Sequence, residues 1–218
     1  MSRLSPAHVR IGGALQTVDD MPTLVRNSGT PPTWLVDLSP LRRWLVRGGQ
    51  AADWLAARDL PIPEEFFRVH DLGEDAFLVR TGEAEFILHD GPGGALRTAL
   101  GKLSDGVADD LVAGTRIVAR DDLEVVLGGE DAGRLMSEFC ALDLAEVENR
   151  FLFTRVAGVT AWLCVEGTGA QRSYRIGCDP SYGEYLFETL LDGVHECGGG
   201  LVGFLDFYES RGIKHDAS

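Results

Sequence analysis

The chain has 218 residues, 44% of them hydrophobic and 25% charged, with a net charge of −14. That balance describes a folded globular protein with a sizeable core, and it leaves room for two halves of about 100 residues each. The acidic excess repels polyphosphate backbones and excludes nucleic acid as a partner, and no apolar run approaches the roughly 20 residues of a membrane-spanning helix.

Residues 1–32 are rich in Ser, Thr, Pro and Gly and are predicted to form an arm, ending in a loop at Pro31-Pro32 that excludes helix. Residues 1–18 have no continuous apolar stretch of the secretory kind, so a cytoplasmic location is expected. Strands are predicted over 33–38 and 43–46, then a Gly48-Gly49 turn and a helix over 50–58 carrying Trp54 and Leu55, ended by Pro61 and Pro63. A meander is predicted over 66–69, 76–81 and 84–89, followed by the turn Asp90-Gly91-Pro92 and a helix over 95–103. A connector over 106–114 divides a first lobe, 33–112, from a second, 113–218. In the second lobe, strands are predicted over 116–119, 123–127, 151–155, 160–165 and 173–177. Helices are predicted over 130–140 and 182–194, the latter burying Tyr185, Leu186, Thr189, Leu190 and Val194. Residues 201–207 are expected to dock on the body, and those beyond Glu209 to fray.

The two lobes repeat one order of elements. Leu45, Val46, Gly48, Gly49, Ala52 and Leu55 recur at one constant spacing as Val125, Val126, Gly128, Gly129, Ala132 and Leu135. Shared element order and apolar phase mark a duplicated supersecondary unit, and the fold class is read as α+β.

Reactive motifs are sparse. Neither a P-loop, nor the G-x-G-x-x-G of dinucleotide sites, nor a G-x-S-x-G elbow occurs. Asp37-Leu38-Ser39 reads as a turn whose side chain bonds the backbone. Cys140, Cys164, Cys178 and Cys197 lie far apart and read as reduced, mostly buried thiols. His195 and Cys197 supply two metal donors of the four that a closed zinc site needs, so no metal is expected. His70 and His89 read as surface or turn residues, and Tyr182, Tyr185 and Phe187 as core packing. Arg42, Arg43 and Arg47 read as a solvated strand edge or a contact for an acidic neighbour, and are the candidate interface.

Several stretches carry a family resemblance. They are Val36-Asp37-Leu38-Ser39, Val46-Arg47-Gly48-Gly49, Gly82 with Glu83 to Leu88, Leu127-Gly128-Gly129-Glu130-Asp131, Cys140 to Leu144, Phe153-Thr154-Arg155-Val156 and Asp179-Pro180-Ser181-Tyr182. In order and spacing they resemble the gamma subunit of heterotetrameric sarcosine oxidase, a relative of the folate-binding domain of the glycine-cleavage T-protein (aminomethyltransferase). The resemblance implies a T-protein-like fold and a heterotetramer. It also implies a non-catalytic role in oxidative demethylation of sarcosine, or another N-methyl amino acid, with one-carbon transfer to tetrahydrofolate. FAD, FMN, NAD and tetrahydrofolate are then expected on larger flavoprotein partner subunits, with no cofactor in this chain. The T-protein places a catalytic aspartate where this chain has residues 153–162, a stretch without a carboxylate. The alternative is a stand-alone folate-dependent aminomethyltransferase-like protein that recruits Asp37, Asp121 or Glu166 as its acid.

Overall fold

The structure, a computed structural model, describes residues 4–7, 15–27, 29–101, 114–169 and 172–213. The predicted connector up to Gly114 and the end of the second predicted helix lie outside these residues, as do residues 214–218. The described elements run β1 (Leu15–Val18), β2 (Met21–Leu24), β3 (Thr33–Asp37), β4 (Arg43–Arg47), α1 (Ala51–Ala56), β5 (Val69–Gly73), β6 (Ala76–Gly82), β7 (Glu85–His89) and α2 (Ala95–Leu100). They continue with β8 (Arg116–Arg120), β9 (Leu123–Gly129), α3 (Ala132–Phe139), β10 (Phe151–Val156), β11 (Val159–Glu166), β12 (Ser173–Cys178), α4 (Gly183–Glu196), β13 (Gly200–Leu201) and α5 (Phe204–Ser210). No helix among the described residues is long and apolar enough to cross a membrane.

The chain divides into two compact units, residues 1–40 with 122–218, and residues 41–121. In the first, six strands take the order β10-β11-β12-β9-β3-β13; in the second, five take the order β5-β6-β7-β4-β8. Each unit thus has a three-strand meander, a strand leading into a helix, and an antiparallel neighbour on that strand's far side. The neighbour is what the sequence order hides. β3 precedes β4 in the chain but pairs with β9, and β8 precedes β9 but pairs with β4. The halves 33–112 and 113–218 therefore exchange their first strands.

Burial also corrects the phase of the repeat by one residue. Ala51, Trp54 and Leu55 of α1 are buried, and their counterparts in α3 are Ala132, Leu135 and Met136. Gly48 accordingly answers to Gly129 rather than to Gly128. Both have positive φ, +133° and +100°, and a Cβ on either would stand 2.1 Å from the Gly114 carbonyl oxygen or 2.0 Å from that of Pro32. Only glycine tolerates both the left-handed backbone and the close approach of the incoming strand.

Each unit has its own core. α3 and α4 cover one face of the first sheet, packing Leu135, Leu186, Leu190 and Val194 on Leu123, Val125, Leu127 and Ile176. Burying each such side chain contributes about 1.5–3 kcal/mol. Trp44, Trp54, Leu55, Phe86 and Leu88 form the core of the second unit. Helix α4 starts where Asp179 accepts hydrogen bonds from the Ser181 N–H (2.9 Å) and hydroxyl (2.6 Å), with Pro180 opening the turn before it. Its buried face is Gly183, Leu186, Phe187, Leu190, Leu191, Gly193 and Val194. The predicted face included Tyr185, which is instead 55% exposed.

Two further segments depart from the sequence reading, and a third docks on the body as expected. The arm contains a hairpin, β1-β2, whose turn residues Asp19 and Asp20 both have positive φ, the geometry that matches strand twist. Phe66 and Phe67, predicted within a strand, are exposed and precede β5. Residues 204–210 form α5, held by the Arg26 guanidinium on Asp206 (2.8 Å) and Glu209 and by the edge of Phe207 against Trp34.

Candidate functional site

Strand alternation sends Leu123, Val125 and Leu127 of β9 to the helix-covered face and Glu124, Val126 and Gly128 to the other. On β12 the same alternation puts Ser173, Arg175 and Gly177 with Glu124, and on β11 it puts Trp162, Cys164 and Glu166 there. Two tryptophans lie flat across glycines of neighbouring strands. A Cβ on Gly128 would stand 2.2 Å from the Trp34 ring, and one on Gly177 2.2 Å from Trp162. The indole N–H of Trp162 donates to Asp122 at 3.3 Å.

Between these rings runs a chain of alternating charges. Arg175, 1% exposed, donates from Nη1 to the buried Glu124 (2.6 Å) and from Nε to Glu166 (2.5 Å). The other oxygen of Glu166 accepts from both terminal nitrogens of Arg211 at 3.1 Å, and that guanidinium lies over the Phe207 ring. Burial pushes the Glu166 carboxyl up, but the attraction and hydrogen bonds of Arg175 and Arg211 outweigh it and hold the group below its ordinary value of 4.5. Cys164, fully enclosed beside these groups, has its thiol raised, chiefly by burial and then by the Glu166 charge. Burial pushes the Cys178 thiol up to about 12. Neither sulfur forms a thiolate near neutral pH, so neither is an active nucleophile.

The acids considered for catalysis therefore take distinct positions. Glu166 has both oxygens on arginines, which favours a permanently ionised ion-pair partner over a proton shuttle. Asp37, 6% exposed, accepts from the Ser39 N–H at 2.9 Å and the Ser5 hydroxyl at 2.5 Å, the turn expected for Asp37-Leu38-Ser39. Asp121 is exposed just ahead of β9. The segment 153–162, where the T-protein resemblance puts an aspartate, is the β10-β11 hairpin, with Ala157 and Gly158 at its turn.

The remaining predicted residues are also dispersed. Arg42, Arg43 and Arg47 do not lie on a sheet edge: β4 is paired on both sides, by β7 and β8. Arg43 is 2% exposed, Arg42 half-buried and Arg47 exposed. His89 is buried and stacks on Phe77 at 4.2 Å, while His70 is exposed. Tyr182 and Tyr185 face outward rather than into the core, whereas Phe187 is fully buried. All four cysteines are unbridged, and Cys197 accepts from Arg134 at 2.8 Å. The Glu124–Arg175–Glu166–Arg211 chain was not read from the sequence. Its one signal was Arg175 between Tyr174 and Ile176 in an apolar strand, a charge that burial requires to be paired.

With this geometry in place, the comparisons with known structures decide the fold. The glycine cleavage system aminomethyltransferase T of Bartonella henselae superposes with a TM-score of 0.67 at 15% identity, over 94% of this chain and 61% of that one. The chain has the fold of the T-protein. A chain of the heterotetrameric sarcosine oxidase of Corynebacterium sp. U-96 superposes with a TM-score of 0.60 at 21% identity, over 89% of this chain and 95% of that one. The T-protein-like chain described here thus spans about three-fifths of the aminomethyltransferase's length. No protein-family model and no curated protein sequence matches it. The α+β class, the T-protein-like fold and the likeness to both expected relatives are accordingly established, at the level of fold.

Proposed function

We propose that this chain is a non-catalytic, gamma-type subunit of a flavin-dependent oxidase or dehydrogenase acting on sarcosine or another N-methyl amino acid. It supports oxidative demethylation in a cytoplasmic hetero-oligomer, with larger flavoprotein subunits as partners. FAD, FMN, NAD and tetrahydrofolate belong to those subunits. The observation that carries the reading is the charge chain: of the two acids on that sheet face, Glu124 is fully buried against Arg175, and Glu166 is committed on both oxygens to Arg175 and Arg211. A carboxylate held below its ordinary pKa by two guanidinium groups is a poor proton acceptor, which suits an ion-pair partner rather than a base for a folate nitrogen. The match over 95% of a sarcosine oxidase chain, against 61% of the aminomethyltransferase, adds support.

The test is co-expression with the larger subunits of a heterotetrameric sarcosine oxidase, followed by native mass measurement. Co-purification with flavin-coloured subunits is the expected result. Micromolar binding of tetrahydrofolate by the isolated chain, with transfer of a one-carbon group, overturns the reading in favour of the stand-alone aminomethyltransferase. Charge reversal of the exposed Arg47 tests whether any of the arginine cluster meets an acidic partner. Unchanged assembly removes that residue from the interface.

A further inference from the structure

The second unit leaves one sheet edge open. β5 is the last strand of the order β5-β6-β7-β4-β8, and the direction of its backbone groups follows from bonds two strands away. The Gly48 N–H donates to the Ala84 carbonyl (3.0 Å) and the Asp90 N–H to that of Arg42 (2.9 Å), so Phe86 and Leu88 of β7 bond β4, while Ile87 and His89 bond β6. Carried through the register, Phe77 and Val79 of β6 bond β7, Leu78 bonds His70, and Val69 and Asp71 turn their N–H and C=O groups outward. Among the described residues, neither backbone finds a partner on that side. Asp71 is exposed and Val69 half-buried, so the edge reaches solvent.

What flanks the edge limits what it can receive. Just ahead of β5, Phe66 and Phe67 are 40% and 38% exposed, yet they are held in place. The Phe67 N–H donates to the Arg80 carbonyl (2.9 Å), and Cζ of Arg80 lies 5.0 Å from the Phe66 ring centre, its guanidinium tied to the carbonyls of Pro63, Gly82 and Glu83. An exposed aromatic pair fixed in this way is a ready apolar anchor. Charge supplies the sign. Residues 64–75 contain Glu64, Glu65, Asp71, Glu74 and Asp75 against a single arginine, Arg68, which Glu65 already pairs at 3.0 Å. Edges guarded against other strands usually carry lysine or proline; β5 carries neither, and its bulge falls only after Asp71. A second copy of this chain would bring the same acids to the edge, where like charges repel across strands.

We propose that β5 is a docking edge for an extended, basic segment of a partner protein, which adds to the sheet as a further strand. The segment's backbone pairs with Val69 and Asp71, its lysine or arginine side chains meet Asp71 and Glu64, and an apolar side chain packs on Phe66 and Phe67. The edge lies in the second unit, away from the charge chain of the first, and the inference does not depend on the assembly proposed above.

Fluorescence polarisation of the full chain with a labelled Lys-Val-Lys-Val-Lys-Val peptide tests it, beside the Glu-Val-Glu-Val-Glu-Val analogue and a form of the lysine peptide N-methylated at every residue. The lysine peptide is expected to bind with a Kd of about 100 μM or tighter, and the other two at least about tenfold more weakly. Val69→Pro removes an N–H that no strand of the sheet uses, so it is expected to fold, by circular dichroism, and to weaken the lysine peptide about tenfold or more. Asp71→Lys is expected to narrow the preference for lysine over glutamate. Absence of lysine-peptide binding overturns the proposal. So does an N-methylated peptide that binds as well as the lysine peptide, an unchanged affinity in Val69→Pro, or an unchanged preference in Asp71→Lys.

Discussion

The two units share one plan and differ in how they close it. At the start of each helix the chain makes the same tight crossing, Gly129 under the Pro32 carbonyl in one unit and Gly48 under the Gly114 carbonyl in the other. A threonine follows each carbonyl, and here the units part. Thr33 Oγ1 accepts the Asp131 N–H at 3.1 Å, while Thr115 Oγ1 is buried with no hydrogen-bond partner among the described residues. The closing helices differ more: α4 has 14 residues and seven buried side chains or glycines, α2 only six residues and two buried leucines. The lesson is that duplication preserved the backbone constraint, which sterics enforce, and let the polar and packing details diverge, which each unit satisfies separately.

That comparison can be broken most decisively at the two glycines. Gly129→Ala and Gly48→Ala each force a Cβ into a carbonyl at a positive φ, and each is expected to cost about 5 kcal/mol or more, read by urea unfolding. A tolerated substitution in one unit shows that its crossing is not the shared constraint. The charge chain belongs to the first unit, and Arg175→Met there removes the cation that contacts both Glu124 and Glu166. A loss of about 3–5 kcal/mol is expected, since two carboxylates lose their buried partner, and pairing it with Glu124→Gln is expected to recover part of that loss.

Tighter still in scale is the indole over Gly177. Gly177→Ala pushes a methyl into Trp162 and is expected to cost about 1–3 kcal/mol in thermal melts. Acid titration sharpens the role of Glu166. Its folded pKa is depressed, so its contribution is complete above the ordinary value of 4.5 and is lost as the pH falls through the lower folded value. Glu166→Gln is expected to flatten the stability profile over that acid range. The smallest effects concern the threonine pair. Thr33→Val is expected to cost about 1 kcal/mol through a lost cap, and Thr115→Val to be neutral or slightly stabilising. Equal effects at both positions mean that Thr115 makes the same bond as Thr33.

Much of the fold was legible in local patterning. The strands and helices from Thr33 to Val194 fall within a few residues of their predicted places, with Phe66 and Phe67 the exception, because alternating or helical apolar spacing is a property of consecutive residues. The turn at Asp37-Leu38-Ser39 was legible for the same reason. The β1-β2 hairpin was missed although Asp19-Asp20 is a permitted two-residue turn; the Ser, Thr, Pro and Gly content of the arm masked its two short strands. His89, Arg43 and Tyr185 were misplaced because a polar or aromatic residue in a strand or helix does not itself say whether its face is covered.

The amino-acid sequence by itself determined the order of elements, the duplication and the glycine turns, since these follow from neighbouring residues and their steric limits. Tertiary structure alone decided the exchange of β3 and β8, the one-residue phase of the repeat and the meeting of Glu124, Glu166, Arg175 and Arg211. Those features depend on pairing between strands far apart in the chain. Such pairing is set by which faces can be buried together rather than by any local preference.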